Sequence, residues 1–161
     1  MYMSGRLAAV LLGWSLSCVP AQASSLVVGG GALAKQSGGA VGVAQFAVEQ
    51  TPISELMGIQ LYSGALLAEQ DSWYLHGGLA KTFELPGRWS WGAGLSAGVY
   101  HSNHPELDLG YDIEFMSRVY LEYEFSLQHA VRLEAGHLSN ANLGDENPGT
   151  EFLLLNWVYR L

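Results

Sequence analysis

The sequence predicts an all-β protein, an eight-stranded antiparallel transmembrane β-barrel, and three observations carry that prediction. After residue 23 the chain divides into eight runs in which apolar residues alternate with small or polar ones, separated by turn chemistry. Gly is plentiful at 20 of 161 residues, aromatics reach 11% and charged residues only 14%, which suits tightly packed strands with aromatic bands better than a charged helical bundle. No segment after Ala23 holds 18 consecutive apolar residues, so a helical membrane protein is excluded.

Residues 1–23 read as an export leader rather than as fold. "MYMSGR" supplies a weakly positive start, "LAAVLLGWSLSCV" an apolar run of 13 residues, and "PAQA" a small-residue cleavage pattern ending at Ala23. The apolar run is too short to span a bilayer as a helix. A lipid-modified Cys18 is the alternative, though "SLSC" lacks the usual Leu three residues before the Cys. Cleavage after Ala23 removes the one cysteine, so the mature chain, a single barrel domain over 24–161, forms no disulfide. The formal charge of −8 offers no basic patch and argues against nucleic acid as a partner.

The eight runs cover roughly 25–34, 40–50, 56–67, 72–84, 88–100, 110–125, 128–139 and 150–161. Between them lie "KQSGG", "QTPIS", "AEQD", "LPGR", "HSNHPELDL", a tight reversal at "SLQ", and "NANLGDENPG". Run six alternates most clearly. Tyr111, Ile113, Phe115, Ser117, Val119, Leu121, Tyr123 and Phe125 share one parity, against Asp112, Glu114, Met116, Arg118, Tyr120, Glu122 and Glu124 on the other. Successive side chains of a strand point to opposite faces, so one face is almost wholly apolar and the other charged. Run five sets Trp89, Trp91, Ala93, Leu95, Ala97 and Val99 against Gly and Ser, and run eight sets Leu153, Leu155, Trp157 and Tyr159 against a mixed face.

A soluble lipid-binding barrel would turn the apolar face inward, whereas an outer-membrane barrel turns it to lipid and fills a narrow lumen with polar groups. Three features favour the membrane. Trp89 and Trp91, Tyr123 and Phe125, and Trp157 and Tyr159 cluster at strand ends on the apolar parity, as an interfacial belt requires. The Gly and Ser of run five suit the small interior of an eight-stranded barrel. The odd-numbered breaks are mostly longer than the even ones, resembling outer loops and periplasmic turns. With the N-terminus on the periplasmic side, runs seven and eight meet at the outer rim.

That rim carries "GHLSNANLGDENPGTEF". On run seven, His137 and Ser139 continue the lipid-facing stripe of Val131, Leu133 and Ala135, while Arg132 and Glu134 take the lumen. On run eight, Glu151 shares the outward parity of Leu153 and Leu155. Neighbouring antiparallel strands bring such residues within side-chain reach, and ionisable groups facing lipid need a reason. A serine hydroxyl is a weak nucleophile until an imidazole takes its proton, and a carboxylate on the other ring nitrogen fixes tautomer and orientation. Ser139 is therefore the candidate nucleophile, His137 the base and acid, and Glu151 the orienting group. Asn140 is the candidate oxyanion donor through its side-chain amide, with the "NLG" backbone as a further source of an N–H. The bland alternative is a structural or adhesion barrel whose rim is polar because it meets headgroups.

"HLSNANLGDENPGTEF" resembles the PagL-type lipid A 3-O-deacylases, eight-stranded outer-membrane esterases. The matching positions are His137, Ser139, Asn140 and Glu151, with Asn147 in the matching loop, and the likeness is strongest over residues 130–161. The terminal Leu161 departs from the Phe or Trp usual in such barrels. The resemblance implies hydrolysis of the ester-linked 3-hydroxyacyl chain at the 3-position of lipid A, with no metal or organic cofactor. It also implies lipopolysaccharide in the outer leaflet as the substrate and surrounding membrane lipid as the partner. A homodimer is left open.

Other titratable residues are expected to be structural. Asp112 and Glu114 are expected in the lumen, paired with Arg118, Arg132 or Arg88, and His76 is expected there as a hydrogen-bonded residue. His101 and His104 belong to an exposed loop and make a poor metal site. The outer loops carry Glu69, Asp71, Glu106, Asp108, Asp145 and Glu146, with Lys35 as the clearest cation. An anionic substrate would then call for divalent ions bridging phosphate and carboxylate.

Overall fold

The computed structural model describes residues 23–161. The expected leader, with its Cys18, lies outside the described residues apart from Ala23. Eight strands follow in order: β1 Ala23–Ala34, β2 Ala40–Gln50, β3 Ile59–Ala68, β4 Ser72–Glu84, β5 Trp89–His101, β6 Ile113–Glu124, β7 His129–Ser139 and β8 Thr150–Arg160. Each pairs antiparallel with its sequence neighbours, and β1 closes on β8 from Ser25↔Arg160 to Leu33↔Phe152. Closure leaves no strand edge unpaired, which a bilayer core without water demands.

The apolar face is the outer face. Along β6 exposed and buried residues alternate without a break from Ile113 to Tyr123. Leu95 is 70% exposed, Val119 56% and Leu155 60%, whereas Gln45, Glu114 and Glu134 are fully buried. A soluble barrel would show the reverse. Aromatic pairs gather at the end opposite the long loops: Trp89 with Tyr123, Phe83 with Trp91, and Phe125, Trp157 and Tyr159 around His129.

The lumen is filled by an ion-pair network. Arg132 bonds both oxygens of Glu49 at 2.6 and 2.8 Å and reaches Glu122 through Nε at 2.9 Å. Arg118 donates to Glu49 at 2.9 Å and to Glu134 at 3.3 Å, and its guanidinium lies 3.7 Å from the Tyr62 ring centroid. Arg160 joins Glu122 and Glu124 near the turn rim. Small residues make room for these groups. A Cβ on Gly92 would sit 2.2 Å from the Tyr120 ring, so that ring occupies the space a side chain would take.

Two strands begin later than their hydrophobic pattern suggests. Before β3, Ser54–Leu56 form a 3-10 turn, followed by Met57 (φ 57°) and Gly58 (φ 77°) in the left-handed region. Before β6, Gly110 (φ 79°) turns the chain against Glu146, leaving Tyr111 and Asp112 in the loop. Asp112 is therefore exposed rather than in the lumen. Glu114 does face the lumen, but the arginines are taken by Glu49, Glu122 and Glu134, and its carboxylate has no partner among the described residues. His76 also corrects its expectation. It is a lumen residue stacked on Tyr74 at 5.0 Å, with neither ring nitrogen hydrogen-bonded among the described residues.

Candidate active site

The loops after β5 and β7, residues 102–112 and 140–149, stand at the same end, which long loops mark as the outer rim. The first folds inward: Leu107 and Leu109 are each 1% exposed and plug the mouth, and Tyr100 donates to the Leu107 carbonyl at 2.6 Å. Ser37, Gln36 and Lys35 of the β1–β2 turn clasp this loop. Lys35 reaches Glu106 at 2.7 Å, Ser37 donates to the same carboxylate, and Gln36 donates to the Asp108 carbonyl. Donation from Lys35 and then Ser37 holds the Glu106 carboxyl below the usual carboxylate range.

Beside that plug, the last residues of β7 face outward. His137 is the Cα partner of Glu151 on β8, and its Nδ1 lies 3.3 Å from Glu151 Oε1. Both are exposed on the lipid wall, 46% and 73% by side chain. The other side of the ring lies over Gly149, where a Cβ would stand 2.7 Å from Cε1 and 3.1 Å from Nε2. Gly149 also has φ 64°, so both the space and the backbone call for glycine there. It falls in the row of Ser139, one pair beyond Leu138↔Thr150, so Nε2 is turned towards the serine's end of the strand. Ser139 lies two residues from His137 on the same face and is half-buried, and no hydrogen bond joins the two among the described residues. Such contacts often tighten only when substrate is bound.

Asn140 is placed differently from its expected role. Its side chain is fully buried, and Nδ2 donates to the carbonyls of Leu109 at 2.9 Å and Glu146 at 2.7 Å. Its Oδ1 accepts from Asn142 N, and its own N–H donates to Asn147 Oδ1 at 3.0 Å. With both amide hydrogens committed, Asn140 ties the β7–β8 loop to the plug and has no donor left for an oxyanion. Leu143 N–H is likewise taken, by the Asn140 carbonyl. Ala141 (φ 53°) and Asn142 (φ 63°) follow in the left-handed region, a strained pair two and three residues after the nucleophile candidate. Asn147 Nδ2 makes one long bond, 3.3 Å to Asn142 Oδ1, and keeps a second hydrogen.

The remaining candidates take no part. His104 Nδ1 accepts from Glu106 N as the cap of the Pro105–Leu107 turn, and His101 lies beside Trp73. Among the described residues no group of three or more His, Cys, Asp or Glu is placed to hold a metal ion.

A family model described as "Lipid A 3-O-deacylase (PagL)" matches residues 43–160, from β2 through the last strand. The chain belongs to the PagL family. Among solved structures, the PagL-family barrel is similar to the outer membrane enzyme PagL, with a TM-score of 0.61 and 17% identity over 86% of this chain and 99% of that one. It is also similar to a de novo designed transmembrane β-barrel (TM-score 0.60, 10% identity, 88% and 98% covered). Neisserial surface protein A is a third likeness, with a TM-score of 0.59 and 8% identity over 86% and 95%. No curated protein matches the sequence. Family and fold together make the PagL-family chain an outer-membrane β-barrel and support lipid A 3-O-deacylase activity in general terms.

Sequence reasoning missed Gly149 and the plug residues Leu107 and Leu109. The "PG" before β8 reads as an ordinary turn, and the plug leucines sit in a segment whose polarity marks it as exposed.

Proposed function

We propose that this chain is a serine esterase that removes the ester-linked 3-hydroxyacyl chain from the 3-position of lipid A, using Ser139, His137 and Glu151. The observation that carries the proposal is the His137–Glu151 contact of 3.3 Å on the lipid-facing wall, with the opposite ring nitrogen turned towards the Ser139 row. Ser139 Oγ attacks the ester carbonyl while His137 Nε2 takes its proton, and Glu151 holds Nδ1–H and stabilises the imidazolium. When the intermediate collapses, the bond from the acyl carbon to the sugar oxygen breaks and Nε2 returns the proton to that oxygen. Water then attacks the acyl-Ser139 ester by the same proton route, releasing the fatty acid. The oxyanion's donors are the backbone N–H of Ala141 and the second amide hydrogen of Asn147, two groups of the loop after Ser139 that other acceptors leave available among the described residues.

The site's depth suits the substrate. Lipid A lies in the outer leaflet with its acyl esters just below the headgroups, so an outward site at the outer rim meets them by lateral diffusion. Mass spectrometry of lipid A incubated with wild-type and Ser139→Ala protein tests the proposal. The expected result is loss of one 3-hydroxyacyl mass with the wild type and none with the variant, both running as folded barrels. Equal deacylation by both would overturn the assignment of Ser139.

A further inference from the structure

The outward stripe of β6 reads Ile113, Phe115, Ser117, Val119, Leu121, Tyr123, with Ser117 the one aliphatic hydroxyl and the Tyr123 phenol at the far end of the strand. Ser117 is exposed on the lipid face and makes no hydrogen bond among the described residues. It is also the Cα partner of His137, so one row across the outer wall runs Ser117, His137, Glu151. The imidazole nevertheless leans the other way, with Nδ1 on Glu151 and the ring over Gly149. Ser117 is adjacent to the proposed machinery, yet no step above uses it.

Its position relative to the nucleophile is set by the register. Ser139 pairs with Phe115, so Ser117 stands one outward-facing position deeper in the bilayer, on the neighbouring strand. That is about 7 Å along the strand and about 5 Å across it. An acyl chain whose carbonyl carbon is at Ser139 Oγ runs inward through this depth with its first carbons. A lipid-facing hydroxyl has no water to bond and gains a partner only from a polar atom carried on the chain. A plain alkyl chain offers none, whereas a hydroxyl on the third carbon lies at the right distance from the ester.

We propose that Ser117 is a specificity-determining residue whose hydroxyl hydrogen-bonds the 3-hydroxyl of the departing acyl chain. This rests on Ser139 being the nucleophile. The Ser117 hydroxyl has no partner among the described residues, and the 3-hydroxyacyl substrate supplies one while bringing the carbonyl over Ser139. A site built to bond a substrate hydroxyl discriminates against the analogue lacking it, because its own polar group is then left without a partner.

The test measures kcat/KM in mixed micelles on two substrates sharing one sugar and one chain length, with and without the 3-hydroxyl at the scissile ester. Wild type, Ser117→Ala, Ser117→Thr and Ser139→Ala are compared, each verified as a folded barrel by its heat-modifiable gel mobility. The wild type is expected to favour the hydroxylated ester. Ser117→Ala should lose about 3- to 10-fold on that substrate alone, the worth of one hydrogen bond, and Ser117→Thr should keep the preference. A wild type indifferent to the hydroxyl, or a Ser117→Ala loss that is equal on both substrates or absent from both, overturns the proposal. Ser139→Ala should be silent on both esters. Its retained turnover would instead remove the nucleophile assignment, so the two failures are distinguishable.

Discussion

Glu151 and Gly149 hold the His137 ring from two sides, and each contact makes a prediction. Glu151→Gln keeps the shape but removes the charge that stabilises the imidazolium, so kcat should fall by about 10²- to 10⁴-fold with KM little changed. Gly149→Ala drives a methyl into the ring and strains a left-handed backbone. Displacing the imidazole by about 1 Å should cost on the order of 10²-fold in kcat while the barrel still assembles. Asn147→Asp separates support from the proposed catalytic role: the carboxylate still accepts from Asn140 N–H, but the proposed donor to the oxyanion is gone. Steady-state kinetics should show a kcat loss of about 10²-fold or more with normal gel mobility. Parity alone puts His137, Ser139 and Glu151 on one face, so these residues are legible in the sequence. The commitment of Asn140 is not, because its partners are the carbonyls of Leu109 and Glu146, and backbone acceptors leave no mark on residue type.

Among the elements, the clasp between the β1–β2 turn and the β5–β6 loop depends on an ionised Glu106. Its pKa is lowered in the fold, so the stabilisation is present above the ordinary carboxylate range and is lost as pH falls through the lowered value. Hydrogen exchange of residues 102–112, corrected for its intrinsic pH dependence, should accelerate below that range in the wild type, and already at neutral pH in Glu106→Gln. Exchange independent of both would show that the plug is held without the Glu106 carboxylate, by Leu107, Leu109 and the hydrogen bonds from Tyr100, Gln36 and Asn140. The strands themselves are readable from period-2 alternation. Their late starts at β3 and β6 are not, since Leu56 and Tyr111 continue the hydrophobic pattern while the backbone at Met57, Gly58 and Gly110 has already turned.

For the whole molecule, stability divides between two surfaces of opposite polarity. Val119 lies at mid-strand on the lipid face, so Val119→Arg should destabilise the barrel by about 2–4 kcal/mol in lipid, measured by reversible denaturant unfolding. Inside, Glu49 is bonded by both Arg118 and Arg132, and Glu49→Ala takes one carboxylate from each of two buried guanidinium groups, leaving Arg118 with Glu134 and Arg132 with Glu122, at a cost of about 3–5 kcal/mol in the same assay. The sequence by itself determined which face of each strand meets lipid, because alternation is a local property that two residues in succession express. It also determined that a histidine, a serine and a glutamate reach that face at the outer rim. Only the tertiary structure decided which side chains meet across strands: Glu49 with arginines 69 and 83 residues away, Ser117 opposite His137, and the plug loop bonded to Asn140. Those meetings follow from closing the sheet into a cylinder, where register and loop packing are fixed jointly by all eight strands and by no single stretch of chain.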